Sequence, residues 1–329
     1  MKKAPGETIA KTSLFSSFGN KDVVRNFVMK YSLWLIISSM VIIATVLSRG
    51  VFISPNNIFN LLLQNSIIGV LAMGQFLIIL TAGIDLSVGS ILAASSMLCA
   101  LSLANGSGIL FSVLACLALG SSLGFVNGIM ISKGKIPPFI ATLGMMGIAR
   151  SLARQINHGS PIWAIPENFL IFGREYVGPI PVPVLIWGIV FFFTLFLVTR
   201  SHYGRYIYAV GANENATRLA GIKVDGVKLL VYTLGGMFCA IGALIFIGRT
   251  NYAPPDAGMW YNLDSIAAVV IGGTSLFGGV GTATGTLLGV IIVGILTNLM
   301  NILNVNLFWQ QTVKGIVLIA AVYANIKAR

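Results

Sequence analysis

The chain has 329 residues, of which 56% are hydrophobic and only 9% charged, and this excludes a soluble globular surface, which normally carries about a quarter charged residues. The net charge of +12 invites a nucleic-acid reading, but the Lys and Arg residues sit beside apolar runs and report orientation in a membrane instead. Cys99, Cys116 and Cys239 all lie inside apolar runs at unrelated spacings, which excludes a disulfide framework or a metal site and leaves core packing.

Residues 1–30 form a basic segment with Lys2, Lys3, Lys11, Lys21, Arg25 and Lys30. Phe15, Phe18, Val23, Val24, Phe27 and Val28 give it an apolar face, read as a helix lying on the inner surface. A transmembrane domain is expected over 31–329. A helix needs about 20 apolar residues to cross the hydrocarbon. The first span is expected at 31–53, followed by a turn at Ser54-Pro55-Asn56-Asn57.

The apolar block 58–104 is too long for one crossing and must hold two. The break falls at Gly83-Ile84-Asp85-Leu86-Ser87-Val88-Gly89, where glycine loosens the helix and Asp85 or Ser87 can cap its restart. A fourth span covers 109–131, and Pro137-Pro138 opens a fifth that ends near His158. Residues 158–180 read as an outer loop, and 181–199 as the sixth span. Span seven is 229–248, with a second outer loop at 251–262. Spans eight to ten are 263–275, 284–302 and 307–326, with a second glycine break at Gly278-Gly279-Val280-Gly281. The expected fold is therefore all-α and polytopic, with about ten transmembrane helices and both termini cytoplasmic. This orientation places fifteen of the 21 basic residues inside. A re-entrant glycine break would lower the span count. The two breaks fall at matching places, which points to a transport pathway.

Between spans six and seven lies the polar, basic, glycine-punctuated stretch 201–228, on the inner side. Asn213 is a good N-cap and Gly221 a good stop, so a short helix is expected over Glu214–Ala220, too short to be stable alone. Glu214 and Arg218 form an i,i+4 pair on it.

No catalytic constellation is present. His158 and His202 are isolated, and no G-x-x-x-x-G-K-[ST] phosphate loop exists, so the chain cannot hydrolyse ATP itself. Asp85 reads either as a pathway or gating residue or as a cap at the break, with Ser87 beside it. Lys314 either snorkels to a headgroup or faces the pathway. Asn65, Gln75, Asn127, Asn298, Asn301 and Gln310 lie within spans; helix bridging is favoured over bonding to a solute. Trp163, Tyr176, Tyr252, Trp260 and Tyr261 read as an interface belt.

Four blocks carry a family resemblance: GQFLIILTAGIDLSVGS from Gly74, KGKIPPFIATLGMMGIAR from Lys133, GRYIYAVGANENATRLAGIKV from Gly204 and LDSIAAVVIGGTSLFGGVGT from Leu263. In this order they resemble the permease subunits of bacterial ABC importers for monosaccharides, of the ribose type, over about residues 55–325. The resemblance implies a transport subunit rather than an enzyme, in the bacterial inner membrane. It implies a second permease subunit (same or sister chain), a cytosolic protein with two nucleotide-binding domains, and a periplasmic sugar-binding protein. No cofactor is expected on this chain, since ATP and Mg would sit on the partner. Asn213, Glu214, Ala216, Thr217, Arg218, Leu219 and Gly221 then match the segment that couples to the ATPase. Asp85, Ser87, Gln75, Asn127, Asn298, Asn301 and Lys314 are the pathway or gating candidates. Glu167, Glu175, Asp256 and Asp264 are candidate charges for meeting the binding protein. The rival reading is an ion-coupled secondary sugar transporter, which needs ion-handling groups in mid-span.

Overall fold

The structure is a computed structural model and describes residues 21–163 and 165–327. The expected basic segment falls mostly on residues 1–20, outside the described residues, as does Arg329. The helices are α1 (Lys21–Leu47), α2 (Pro55–Leu80), α3 (Val88–Ala104), α4 (Ile109–Ser132), α5 (Pro138–Gln155) and α6 (Val182–Arg200). They continue as α7 (His202–Ala212), α8 (Glu214–Leu219), α9 (Val224–Thr250), α10 (Tyr261–Ile271), α11 (Ala283–Ile302) and α12 (Leu307–Lys327). A two-stranded hairpin, β1 (Tyr176–Val177) and β2 (Ile180–Pro181), decorates the loop before α6.

The ten expected spans correspond to α1–α6 and α9–α12. By length and composition alone, α2, α4, α6, α9 and α11 are long and apolar enough to cross a bilayer, while α3, α10 and parts of α1 and α12 are shorter apolar helices. The helix α1 starts at Lys21 and runs unbroken into the first span, so no break separates a surface helix within residues 21–30.

At the centre, α2 packs on α9, and α9 packs on α4. From Asn65 to Leu80 every residue of α2 is buried. Small residues make the approach possible. Gly124 and Gly236 face each other across α4 and α9 so closely that a Cβ on either would meet the other's backbone at 3.0 Å or less. Such close backbone contact is the way helices associate where lipid supplies no hydrophobic drive. All three cysteines are buried and free, as core packing requires.

Both breaks leave a short helix beside them. At 1.5 Å per residue, α10 with 11 residues spans ~16 Å, about half the hydrocarbon thickness. The 17-residue α3 spans ~26 Å. The first break runs within the protein, with Gly83, Asp85 and Ser87 buried; ahead of the second, Thr274 and Ser275 are buried, while Phe277 and Val280 are exposed. Irregular backbone at membrane depth is tolerated where protein covers it.

At the opposite end, the loops are tied into one layer. Ile162 and Ala253 exchange backbone hydrogen bonds, and Trp163 stacks on Tyr252 with ring centroids 4.6 Å apart. Arg150 donates to the carbonyls of Pro255 and Ala257 at 3.0 and 2.9 Å.

Candidate functional site

The 201–228 stretch holds two helices, where the sequence reading gave one. The additional helix is α7, whose N-cap Ser201 accepts from the Gly204 amide at 3.1 Å. Asn213 ends α7 and starts α8, accepting from the Ala216 amide at 2.9 Å. Thr217 is the one buried residue of α8, and its hydroxyl donates to the Ala209 and Asn213 carbonyls at 2.8 and 2.7 Å. Gly221 at φ +83° lets the chain leave α8, a left-handed position that a side chain would strain. The two helices thus form one rigid elbow. Its outer corner bears Ala216, Leu219 and Ala220, all exposed, with Leu219 89% so.

Charge holds the elbow on α9. Arg218 pairs with Glu214 at 3.3 Å, as its spacing predicts, and also with Asp225 at 2.9 Å. Lys228 reaches Glu214 at 2.6 Å, and Lys135, from the α4–α5 turn, reaches Asp225 at 3.0 Å. These groups lie ahead of the apolar span of α9. Hydrogen bonds from Arg218 and Lys135 hold the Asp225 carboxyl down to about 2. Partial desolvation pushes Glu214 up, but hydrogen bonds and charge from Lys228 and Arg218 outweigh it and leave Glu214 below its ordinary value.

The inner corner of the elbow touches the end of α2, just ahead of the first glycine break, and the second break itself. A Cβ on Gly211 would overlap the carbonyl oxygen of Leu80, at the end of α2. The same oxygen accepts the amide of Gly279, in the second break, at 3.0 Å. Gly278 lies against Ala82 and the Gly211 carbonyl, and Gly279 lies against Ala212. Tyr208, one turn back on α7, donates to the Gly281 carbonyl at 2.7 Å. Three segments far apart in sequence therefore meet backbone to backbone. At the same place Ala82 has φ +58°, a left-handed conformation uncommon for a residue with a side chain. Their meeting also places both breaks and the elbow on one side of the bundle, as the topology requires.

The other candidates fall in three places. Asp85 is fully buried; its Oδ1 accepts the Ser87 amide at 2.7 Å and the Ser87 hydroxyl at 2.5 Å. Asn127 on α4 donates to the Ser87 hydroxyl at 3.0 Å. Asp85, Ser87 and Asn127 are thus one cluster that shapes the restart at α3. Gln75, also fully buried, has no hydrogen-bond partner for either amide atom among the described residues. Asn298 lies elsewhere, in a reciprocal amide pair with Asn57 at 2.9 Å that joins α11 to α2. Asn301 accepts from Gln310 at 2.9 Å, joining α11 to α12.

Lys314 pairs with Asp264 at 3.0 Å, both largely buried. One expectation needs correction here: Asp264 is not displayed for an outside partner. The first turn of α10 turns Asp264 inward onto α12, where Lys314 neutralises it.

A family profile described as branched-chain amino acid transport system / permease component matches residues 57–322. The chain belongs to this permease family. The permease is 41% identical over 313 residues to the ribose import permease protein RbsC of Escherichia coli (strain K12), covering 94% of this chain and 97% of that one. RbsC of Bacillus subtilis (strain 168) is 44% identical over 290 residues, covering 88% and 90%. The D-allose transport system permease protein AlsC of Escherichia coli (strain K12) is 37% identical over 294 residues, covering 89% and 90%. No solved structure matches. The permease is a multi-pass membrane protein and a transport component.

Proposed function

We propose that the chain is the transmembrane subunit of an ATP-driven importer of a monosaccharide in the bacterial inner membrane. The observation that carries this reading is the elbow. Its outer corner is a capped, charge-held helix with Leu219 exposed. Its inner corner lies backbone to backbone against the end of α2, just ahead of the first glycine break, and against the second break itself. A short exposed helix that touches the broken helices suits a part that receives motion from a soluble motor. The monosaccharide substrate is taken from the relatives, which are named as permeases for ribose and D-allose.

In this account a sugar-loaded periplasmic protein docks on the layer formed by the 158–163 and 251–257 loops. A cytosolic ATP-binding protein with two nucleotide-binding domains, holding ATP and Mg, seats α8. Closure of those domains displaces α8, and α7 carries the displacement to Leu80, Ala82, Gly278 and Gly279. Sugar then passes between this chain and a second permease subunit, a copy or a sister chain. The Asp85–Ser87–Asn127 cluster keeps the restart of α3 in register during the movement.

The test is purification of the tagged permease with its neighbouring genes co-expressed, followed by an ATPase assay. An ATP-binding protein should copurify, and deletion of residues 213–221 should remove it. A permease that purifies alone, with uptake collapsed directly by a protonophore, would instead support an ion-coupled secondary transporter.

A further inference from the structure

On the side of the bundle opposite the elbow, a cavity of about 280 Å³ opens between α2, α10, α11 and α12. We infer that it is a low-affinity monosaccharide site in the outer half of this chain's own helix bundle, centred on the Asp264–Lys314 pair. The inference rests on the importer reading and adds a place where the sugar is held in the permease.

The lining matches a polyhydroxylated solute. Gln64, Asn65, Asn301 and Gln310 bring amides from three different helices to the lining, the last two bonded to each other, and Arg249 and Trp260 complete it. An amide offers both donors and an acceptor, as does each sugar hydroxyl. The central ion pair keeps unused capacity. The Lys314 ammonium carries three N–H groups and, among the described residues, spends one, on Asp264. Gln64, half-buried on the same lining, makes no side-chain hydrogen bond among the described residues, so its amide is free to meet a solute. Trp260 is 49% exposed, and an aromatic surface of this kind suits the apolar face of a sugar ring. The volume lies just below the roughly 300 Å³ at which drug-sized pockets begin, which suits one sugar ring and not a chain of them.

Position supports the same conclusion. The cavity sits where α10 and α12 begin and α11 ends, and the basic-residue bias places these ends outside. It lies next to the loop layer on which a binding protein would deliver sugar. A low affinity is expected, because a site that held sugar tightly would slow its onward release.

The assembled importer in proteoliposomes provides the test, with Thr297→Cys in the cavity wall and Ser160→Cys on the outer loop as a control. The native cysteines are buried, so background labelling is low. A charged, impermeant maleimide is added outside with increasing ribose, allose or fructose, or with matched salt. We expect monosaccharide to slow labelling at position 297 by about tenfold, the ratio worth 1.4 kcal/mol, with position 160 unchanged. A second reporter, Gln311→Cys, covers the case in which the first variant does not assemble. Unchanged labelling at 297 and 311 with uptake intact overturns the site and leaves the importer reading standing. Equal slowing at 160 and 297 also overturns it, as does protection by phosphate but not sugar, which would mark a headgroup pocket. Absence of both uptake and an ATPase partner overturns the importer reading and the site with it.

Discussion

Leu80 and Gly211 meet with no space between them. The Leu80 carbonyl occupies the place where a Cβ on residue 211 would stand, and it also accepts the Gly279 amide at 3.0 Å. One oxygen thus links the end of α2, the end of α7 and the second break. Rigid contact of this kind passes displacement without slack, because packed interfaces do not deform continuously.

The first prediction follows from that contact. Gly211→Ala forces backbone apart and should cost about 1–3 kcal/mol, the usual range for overpacking. It should leave the ATP-binding protein attached while reducing sugar-stimulated ATPase and uptake severalfold. Gly188→Ala on α6 is the control, since a Cβ there meets nothing within 4 Å. Its thermal midpoint should stay level or rise, as Ala suits a helix better by roughly 1 kcal/mol. Thermal unfolding and uptake of both variants check this.

A second prediction separates the two readings of Asp85. Its Oδ1 holds the amide and hydroxyl of Ser87, and an amide oxygen can do the same. Asp85→Asn should therefore keep most of the uptake. Asp85→Ala, which leaves buried donors unpaired, should lose about 1–3 kcal/mol of stability. A stable Asp85→Asn permease with no transport would make the charge itself essential to the pathway.

The Asp264–Lys314 pair yields a third. Removing one partner leaves a buried charge and should cost about 3–5 kcal/mol. The double change Asp264→Leu with Lys314→Met should recover most of that loss, since a buried pair often equals an apolar one in stability. Thermal unfolding of the two single variants and the double variant measures the cycle. A double variant destabilised by the sum of the two single changes would show that the pair is not coupled.

The charge cluster at the elbow gives a pH prediction. Asp225 titrates lower in the folded chain, about 2 against its ordinary 3.8, and Glu214 is also lowered. Their contribution is therefore complete above the ordinary carboxylate range and is lost as pH falls toward about 2. Asp225→Asn should lower the thermal midpoint slightly at neutral pH, and the gap from the unaltered chain should close on acidification. Because the groups are exposed, the effect should stay within about 1 kcal/mol and shrink with added salt.

Much of this was legible in the sequence. Spans of twenty apolar residues, the glycine breaks and the Asn213 cap follow local rules, and α8 starts where its cap predicts. The helix α7 was missed because Tyr203, Gly204, Tyr206, Tyr208 and Gly211 are poor helix formers. It forms because it is docked, with Ile207 and Val210 buried. The available signal was Ser201 as a cap ahead of apolar residues at helical spacing. The Asp264–Lys314 pair joins residues 50 apart, and the Leu80–Gly211–Gly279 junction joins three segments. Neither leaves a local pattern, since both arise only when the helices pack. The same holds for Asn298, whose partner Asn57 lies on another helix.

The most direct measurement is copurification of the ATP-binding protein with Leu219→Asp. Leu219 is 89% exposed, so the change should leave the permease folded. The expected result is a monodisperse, normally stable permease that no longer retains the ATP-binding protein. If Leu219→Asp retains the partner and full sugar-stimulated ATPase, α8 is not the docking element, and the elbow does not receive the motion assigned to it.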